Sequence, residues 1–107
     1  LLAIRRLFIR SGLTVDTAST FDEARRCIDQ NMYQVIITDL KFSDTVDEAG
    51  LVISVYAKQK IPGVKVILWT GVNLSEIFEK AKVANVDLCL GKPMSPNVIL
   101  QTVVDYA

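Results

Sequence analysis

A chain of 107 residues, half of them hydrophobic and 22% charged, is long enough for one domain with one core and too short for two. Twelve lysines and arginines balance twelve acids, so bulk charge makes no case for nucleic acid, and no apolar run reaches the roughly 20 residues that cross a bilayer. Histidine is absent, which excludes Ser-His-Asp and Cys-His nucleophile systems and histidine-held metals. Cys27 and Cys89 lie far apart with no C-x-x-C to suggest zinc or thioredoxin-like chemistry. With no charged leader and cleavage site either, the expected home is the cytoplasm.

Short apolar runs rich in β-branched residues alternate with longer segments of helical period, the pattern of parallel strands joined by crossover helices, so the expected class is α/β. "LLAIRRLFIRSG" sets Leu1, Ile4 and Phe8 on one helical face with arginines opposite and stops at Gly12. "TVDTA", residues 14–18, reads as a short strand. Thr20 and Glu23 form a capping box that opens a helix with Phe21, Ala24 and Ile28 inward, and Val35 to Thr38 follows as a buried strand. Leu51, Val55 and Tyr56 mark the next helix, closed by Pro62-Gly63, and Val64 to Trp69 is another buried strand. Leu74, Ile77, Phe78 and Ala81 have the i, i+3, i+4, i+7 spacing of an amphipathic helix, with Glu76 and Lys80 paired on the wet side. Leu88 to Leu90 is the last strand and Ser95 to Tyr106 the last helix.

Three strands share a habit: Val35 to Thr38 ends on Asp39, Val64 to Trp69 on Thr70, and Leu88 to Leu90 near Lys92. In an open parallel sheet the C-terminal strand ends lie on one edge, where such folds place their ligands. A carboxylate can attack phosphorus while an ammonium and a hydroxyl neutralise and hydrogen-bond the phosphoryl oxygens. Any one of the three alone reads as a strand cap in solvent. Three at successive strand ends read as a phosphoryl acceptor site.

"VIITDL", "VILWTG" and "DLCLGKP", in this order and spacing, resemble the receiver domain of two-component response regulators over essentially the whole chain. The resemblance implies a doubly wound, flavodoxin-like parallel sheet in which Asp39 is the phosphorylated aspartate, Thr70 the switch hydroxyl and Lys92 the phosphate-pairing lysine. It also implies a cis peptide before Pro93. The implied cofactor is Mg²⁺, held by Asp39, the backbone carbonyl of Lys41 and an acidic pair at the end of a first strand. That strand and its acids would lie upstream of Leu1, between the 14–18 strand and Val35–Thr38 in the sheet. Residues 1–107 are therefore expected to be an N-terminally incomplete receiver domain whose native chain extends upstream. The implied partners are a histidine kinase or phosphotransfer protein as donor and a downstream output domain or protein. No enzyme activity, membrane contact or direct nucleic-acid contact is expected.

The chain departs from the family in two places. Phe42-Ser43 stands where the family has methionine-proline, and the following glycine, Gly50, comes eleven positions after Asp39 (50 − 39 = 11), a longer spacing than the family's. Asp44, Asp47 and Glu48 in that loop read first as a solvated acidic run and second as substitute metal ligands. Cys89 occupies the place of an aromatic ring whose swing would couple the hydroxyl to the face of the last two helices. A small core cysteine is its simpler reading, and weak coupling its consequence. Arg5, Arg6, Arg10, Arg25 and Arg26 all fall in the first quarter of the chain, as a solvated helical face or, second, a docking surface. The runner-up reading is a pseudo-receiver that binds partners without phosphorylation. A flavodoxin-like cofactor binder ranks third, since no glycine-rich phosphate loop is present.

Overall fold

The computed structural model describes residues 2–42 and 48–107. The first helix, α1 (Leu2–Arg10), ends where Gly12 adopts φ 89°, a left-handed turn that costs glycine nothing, and the N–H of Leu13 then bonds the Phe8 carbonyl at 3.1 Å. Thr20 caps α2 (Phe21–Gln30), its hydroxyl accepting the Glu23 N–H at 3.1 Å. The return half of the box is shifted by one residue: the Glu23 carboxylate accepts the N–H of Ser19, also at 3.1 Å. Strand β1 (Val35–Thr38) is followed by α3 (Ala49–Lys60), which stops before Pro62-Gly63. Strand β2 (Lys65–Thr70) leads to α4 (Leu74–Val83), capped by Asn73, whose side chain accepts the Ser75 N–H. Strand β3 (Leu88–Gly91) leads to α5 (Pro96–Tyr106), with proline in the first turn, where its missing N–H is harmless.

The three strands form one parallel sheet in the order β1-β2-β3, with Ile37 opposite Ile67 and Leu68 opposite Cys89. Because side chains alternate along a strand, this register sorts residues onto two faces. Val35 and Ile37 of β1, Ile67 and Trp69 of β2, and Leu88 and Leu90 of β3 pack with Phe8 of α1 and Ile99 and Val103 of α5. On the other face, Val66 packs with Ala24 and Ile28 of α2 and Ile53 and Ala57 of α3, while Leu68 packs with Ile77 and Ala81 of α4. Helices on both faces of a parallel sheet make the architecture doubly wound and flavodoxin-like, as the sequence pattern implies.

The structure corrects the sequence reading in three respects. Residues 14–18 form no strand among the described residues. A strand is defined by its ladder, and none of its residues pairs with another strand. The segment is held by side chains instead: Val15 packs on the α1/α5 side, and Asp16 accepts the Tyr33 hydroxyl at 2.7 Å. Of the apolar stripe on α4, Ile77 and Ala81 are buried but Phe78 faces solvent, 53% exposed; in α3 the core is filled by Ile53, while Val55 is exposed. Lys80 turns away from Glu76 to the Glu48 carboxylate at 3.0 Å, tying α4 to the start of α3.

At the opposite edge from the site, Asp87 accepts the backbone N–H of Val66 at 2.7 Å and pairs with Lys58 at 2.6 Å. Burial alone would push its carboxyl up, but the Lys58 ammonium and the Val66 N–H together hold it below the usual carboxylate range. A depressed folded pKa gives stability that is fully present above the unfolded value of ~4 and is lost as the pH falls through the folded one. Asp87→Asn should therefore lower the urea midpoint at pH 7, with a loss that shrinks as the pH falls to 3. Equal losses at both pH values would contradict this assignment.

Candidate functional site

The β-branched runs of β1 and β2 and the LCL run of β3 end within two residues of one another in register, so the residues at and after their ends cluster at one sheet edge. The carboxylate of Asp39, one residue past β1, meets the ammonium of Lys92, one residue past β3, at 2.6 Å. The other carboxylate oxygen accepts the N–H of Leu40 at 2.7 Å. Asp39 is thus oriented from both sides while remaining 45% exposed, open to a reactant from solvent. That answers why so apolar a strand stops on an acid: the charge lies outside the core with a cation beside it.

Thr70, the last residue of β2, is buried, and its hydroxyl accepts the Val72 N–H at 3.2 Å. The hydroxyl gives its proton to no acceptor among the described residues, which leaves that proton for an oxygen arriving at this edge. The Thr70 carbonyl accepts the Lys92 N–H at 2.9 Å, so β2 holds the backbone from which the lysine projects. The Lys92-Pro93 peptide is cis. The structure therefore brings the Asp39 and Lys92 side chains into contact and sets Thr70 at the adjoining strand end, its hydroxyl bonded to neither side chain among the described residues.

Gly50 decides how closely α3 approaches the acid. Its N–H donates to the Leu40 carbonyl at 2.8 Å, and a Cβ built there would lie 2.0 Å from the Asp39 carbonyl oxygen. The longer loop thus delivers a glycine to the one point where the backbone has no room for a side chain. Phe42 packs edge-on against Phe21, with ring centroids 6.0 Å apart, anchoring the segment after Asp39 to α2.

Cys89 is a free thiol on the Leu68 face of β3, packed beside the α4 cluster, and burial pushes its thiol up. That is the small core cysteine of the simpler reading, poorly ionised and so a poor nucleophile. Sequence reasoning marks Trp69 as a fluorescence probe beside Thr70 and misses its contact with Lys92. Its ring lies beneath the Lys92 ammonium, 5.2 Å from nitrogen to centroid. Alternation along β2 would have found it, since Trp69 projects to the face opposite Thr70, the face that Ile37 and Leu90 share.

Among the described residues no cluster of three or more acidic, cysteine or histidine side chains could hold a metal ion. Asp44 and Asp47 lie outside the described residues, and Glu48 is engaged by Lys80. Among the described residues, those in place to serve are one carboxylate, Asp39, with the backbone carbonyl of Lys41 nearby in sequence. This is the low end of what Mg²⁺ draws from a protein when phosphate and water complete its octahedron.

An open, doubly wound parallel sheet with an acid and a lysine paired at its C-terminal edge defines the class: a flavodoxin-like α/β domain with its site where such sheets carry ligands. The profile of the response regulator receiver domain matches residues 1–104, and the chain belongs to that family. Among solved structures, a response regulator from Burkholderia pseudomallei, with a phosphorylated aspartic acid, a calcium ion and citrate, is 23% identical with a TM-score of 0.83. The match covers 94% of this chain and 58% of that one. A CheY-like receiver domain protein from Methanospirillum hungatei JF-1 is 23% identical with a TM-score of 0.85, over 96% of this chain and 80% of that one. The receiver domain of a sensor histidine kinase from Pseudomonas aeruginosa PAO1, with magnesium coordinated in its active site cleft, is 19% identical with a TM-score of 0.79, over 98% and 85%. No curated protein matches the chain. At these identities the structural likeness establishes the fold, and no helix of the described residues is long and apolar enough to cross a membrane.

Proposed function

We infer that this chain accepts a phosphoryl group on Asp39 from a phosphohistidine of a partner protein, a histidine kinase or phosphotransfer protein, and passes the change on to an output domain or protein. The observation that carries this reading is the exposed Asp39 carboxylate paired with Lys92 at 2.6 Å on the sheet's C-terminal edge. A carboxylate oxygen bonds to phosphorus as the phosphorus–nitrogen bond to the partner's imidazole breaks. The electron pair leaves with that nitrogen, which takes up a proton. Lys92 neutralises the phosphoryl oxygens, and the buried Thr70 hydroxyl has a proton to donate to one of them. Residues 1–107 hold no histidine, so the donor histidine lies outside them, and the role of this domain in the transfer is that of acceptor.

A divalent cation, Mg²⁺ by family likeness, belongs to this reading, with Asp39 and the Lys41 carbonyl as the ligands that the described residues would offer. When bound it would offset phosphoryl charge. Trp69, the single tryptophan, reports the cation directly: its emission should change on Mg²⁺ addition and return on chelation.

Incubating the protein with a small acyl-phosphate donor and Mg²⁺ tests the acceptor. One phosphoryl group should appear in the intact mass, and Asp39→Asn should abolish it. A mass shift that survives Asp39→Asn would sink the assignment. A second reading, suggested by the lack of an acidic cluster among the described residues, is a pseudo-receiver that binds partners unphosphorylated, and absence of any shift with every donor would favour it over the first.

A further inference from the structure

We propose that Trp69 is a positioning residue for Lys92: its indole face cradles the ammonium and keeps it at Asp39. The register supplies the first observation. Ile37 lies opposite Ile67 and Thr38 opposite Leu68, so one step on, Asp39 falls beside Trp69 and, by alternation, on the same face. Trp69 in turn lies opposite Leu90, and Lys92 continues that face of β3 by the same period of two. The indole therefore sits on the middle strand between the acid and the lysine. From one residue past β3, Lys92 reaches back across it to Asp39.

The contact itself is the second observation. The ammonium is 5.2 Å from the ring centroid, inside the roughly 6 Å range of a cation–π attraction, while the same nitrogen is 2.6 Å from Asp39. The lysine side chain is 40% exposed and would otherwise keep several rotamers in solvent. A ring on one side and a carboxylate on the other reduce that freedom. The third observation is a cost. The indole N–H is buried with no hydrogen-bond partner among the described residues, a fault that leucine or phenylalanine at this position would not carry. Packing alone does not account for tryptophan here. The most strongly cation-binding ring does, because its gain lies on the face that Lys92 covers.

The consequence rests on Asp39 as phosphoryl acceptor but is measurable apart from it. In the protein with ¹³C-labelled lysine, the ε-methylene protons of Lys92, assigned by the signal that Lys92→Met removes, should be shifted upfield by the ring current. W69F should keep part of that shift and W69L should lose it. The rate of phosphoryl uptake should fall roughly two- to fivefold in W69L, the worth of a partly exposed cation–π contact. In a Lys92→Met background the same substitution should have no further effect, whereas a merely structural role would slow both backgrounds equally. If W69L does not fold, W69F and the emission of Trp69 in Lys92→Met decide, since removing the cation should alter that emission. A Lys92 signal indifferent to residue 69, a Trp69 emission indifferent to Lys92, or equal losses in both backgrounds would overturn the proposal. No phosphoryl uptake by the unmodified chain from any donor would remove the acceptor reading alone and leave the resonance measurement to judge Trp69.

Discussion

Gly50→Ala should destabilise the protein by about 2 kcal/mol or more, although alanine is the better helix former by ~1 kcal/mol. Two effects oppose each other, and their magnitudes decide. The new Cβ would lie 2.0 Å from the Asp39 carbonyl oxygen and 3.0 Å from both the Asp39 carbonyl carbon and Leu40 Cα. All three are backbone atoms that no rotamer change can move aside. Either α3 retreats, losing the 2.8 Å bond from the Gly50 N–H to Leu40, or the strand end bends. Overpacking of this kind costs ~1–3 kcal/mol or more, and a clash this deep belongs at the upper end, so propensity returns only part of it. Because the obstructed atom belongs to Asp39, phosphoryl uptake should fall along with stability. Gly71→Ala is the control: nothing lies within 4 Å of a Cβ there, and its urea midpoint should match the unmodified protein. A Gly50→Ala midpoint equal to that of Gly71→Ala would refute the close-approach argument.

That glycine marks how far the sequence could be read. Its identity was visible as the next glycine after the acid, but its reason was not, because a contact between Gly50 and Asp39 depends on how the intervening loop returns. Strands β1, β2 and β3 were legible to within a residue, since runs such as Val35 to Thr38 and Val64 to Trp69 have only one way to bury branched side chains. Asp39, Thr70 and Lys92 were legible for the same reason, as polar residues that close apolar runs. Residues 14–18 have the local composition of a strand and no ladder, and local composition carries no information about partners. Lys80 shows the same limit: helical spacing offered Glu76, and the fold offered Glu48, 32 residues away in sequence. Period also left Phe78 and Ile77 as neighbours on one stripe, whereas in the fold Ile77 packs against Leu68 and Phe78 turns to solvent. Trp69 was legible as a probe beside Thr70 but not as a neighbour of Lys92, because adjacency along a strand means opposite faces and the contact depends on how β3 pairs with β2.

Lys92→Ala should lower the rate of phosphoryl uptake by about a hundredfold or more while leaving stability nearly unchanged. The asymmetry follows from exposure. The Lys92 and Asp39 side chains are 40% and 45% exposed, so in the resting protein water screens their attraction, and such pairs contribute only ~0–1 kcal/mol to folding. During transfer the situation differs, since charge spread over phosphoryl oxygens adds to that of the acid and a preplaced ammonium meets it without reorganisation. Removing one such donor from other oxyanion sites costs roughly 10²–10³ in rate. Lys92→Arg should recover only part of the rate, because its planar fork cannot take the place of a compact ammonium held 2.6 Å from Asp39 and above the Trp69 ring. Intact-mass time courses with a small acyl-phosphate donor give the rates, and urea midpoints read by Trp69 emission give the stabilities. A Lys92→Ala protein that takes up phosphoryl groups at the unmodified rate would show that the pair at this sheet edge is only a surface ion pair. Loss of rate with an equally large loss of stability would instead assign Lys92 to holding the strand ends together, a task that the Lys92 N–H already performs through its 2.9 Å bond to the Thr70 carbonyl and that alanine would retain.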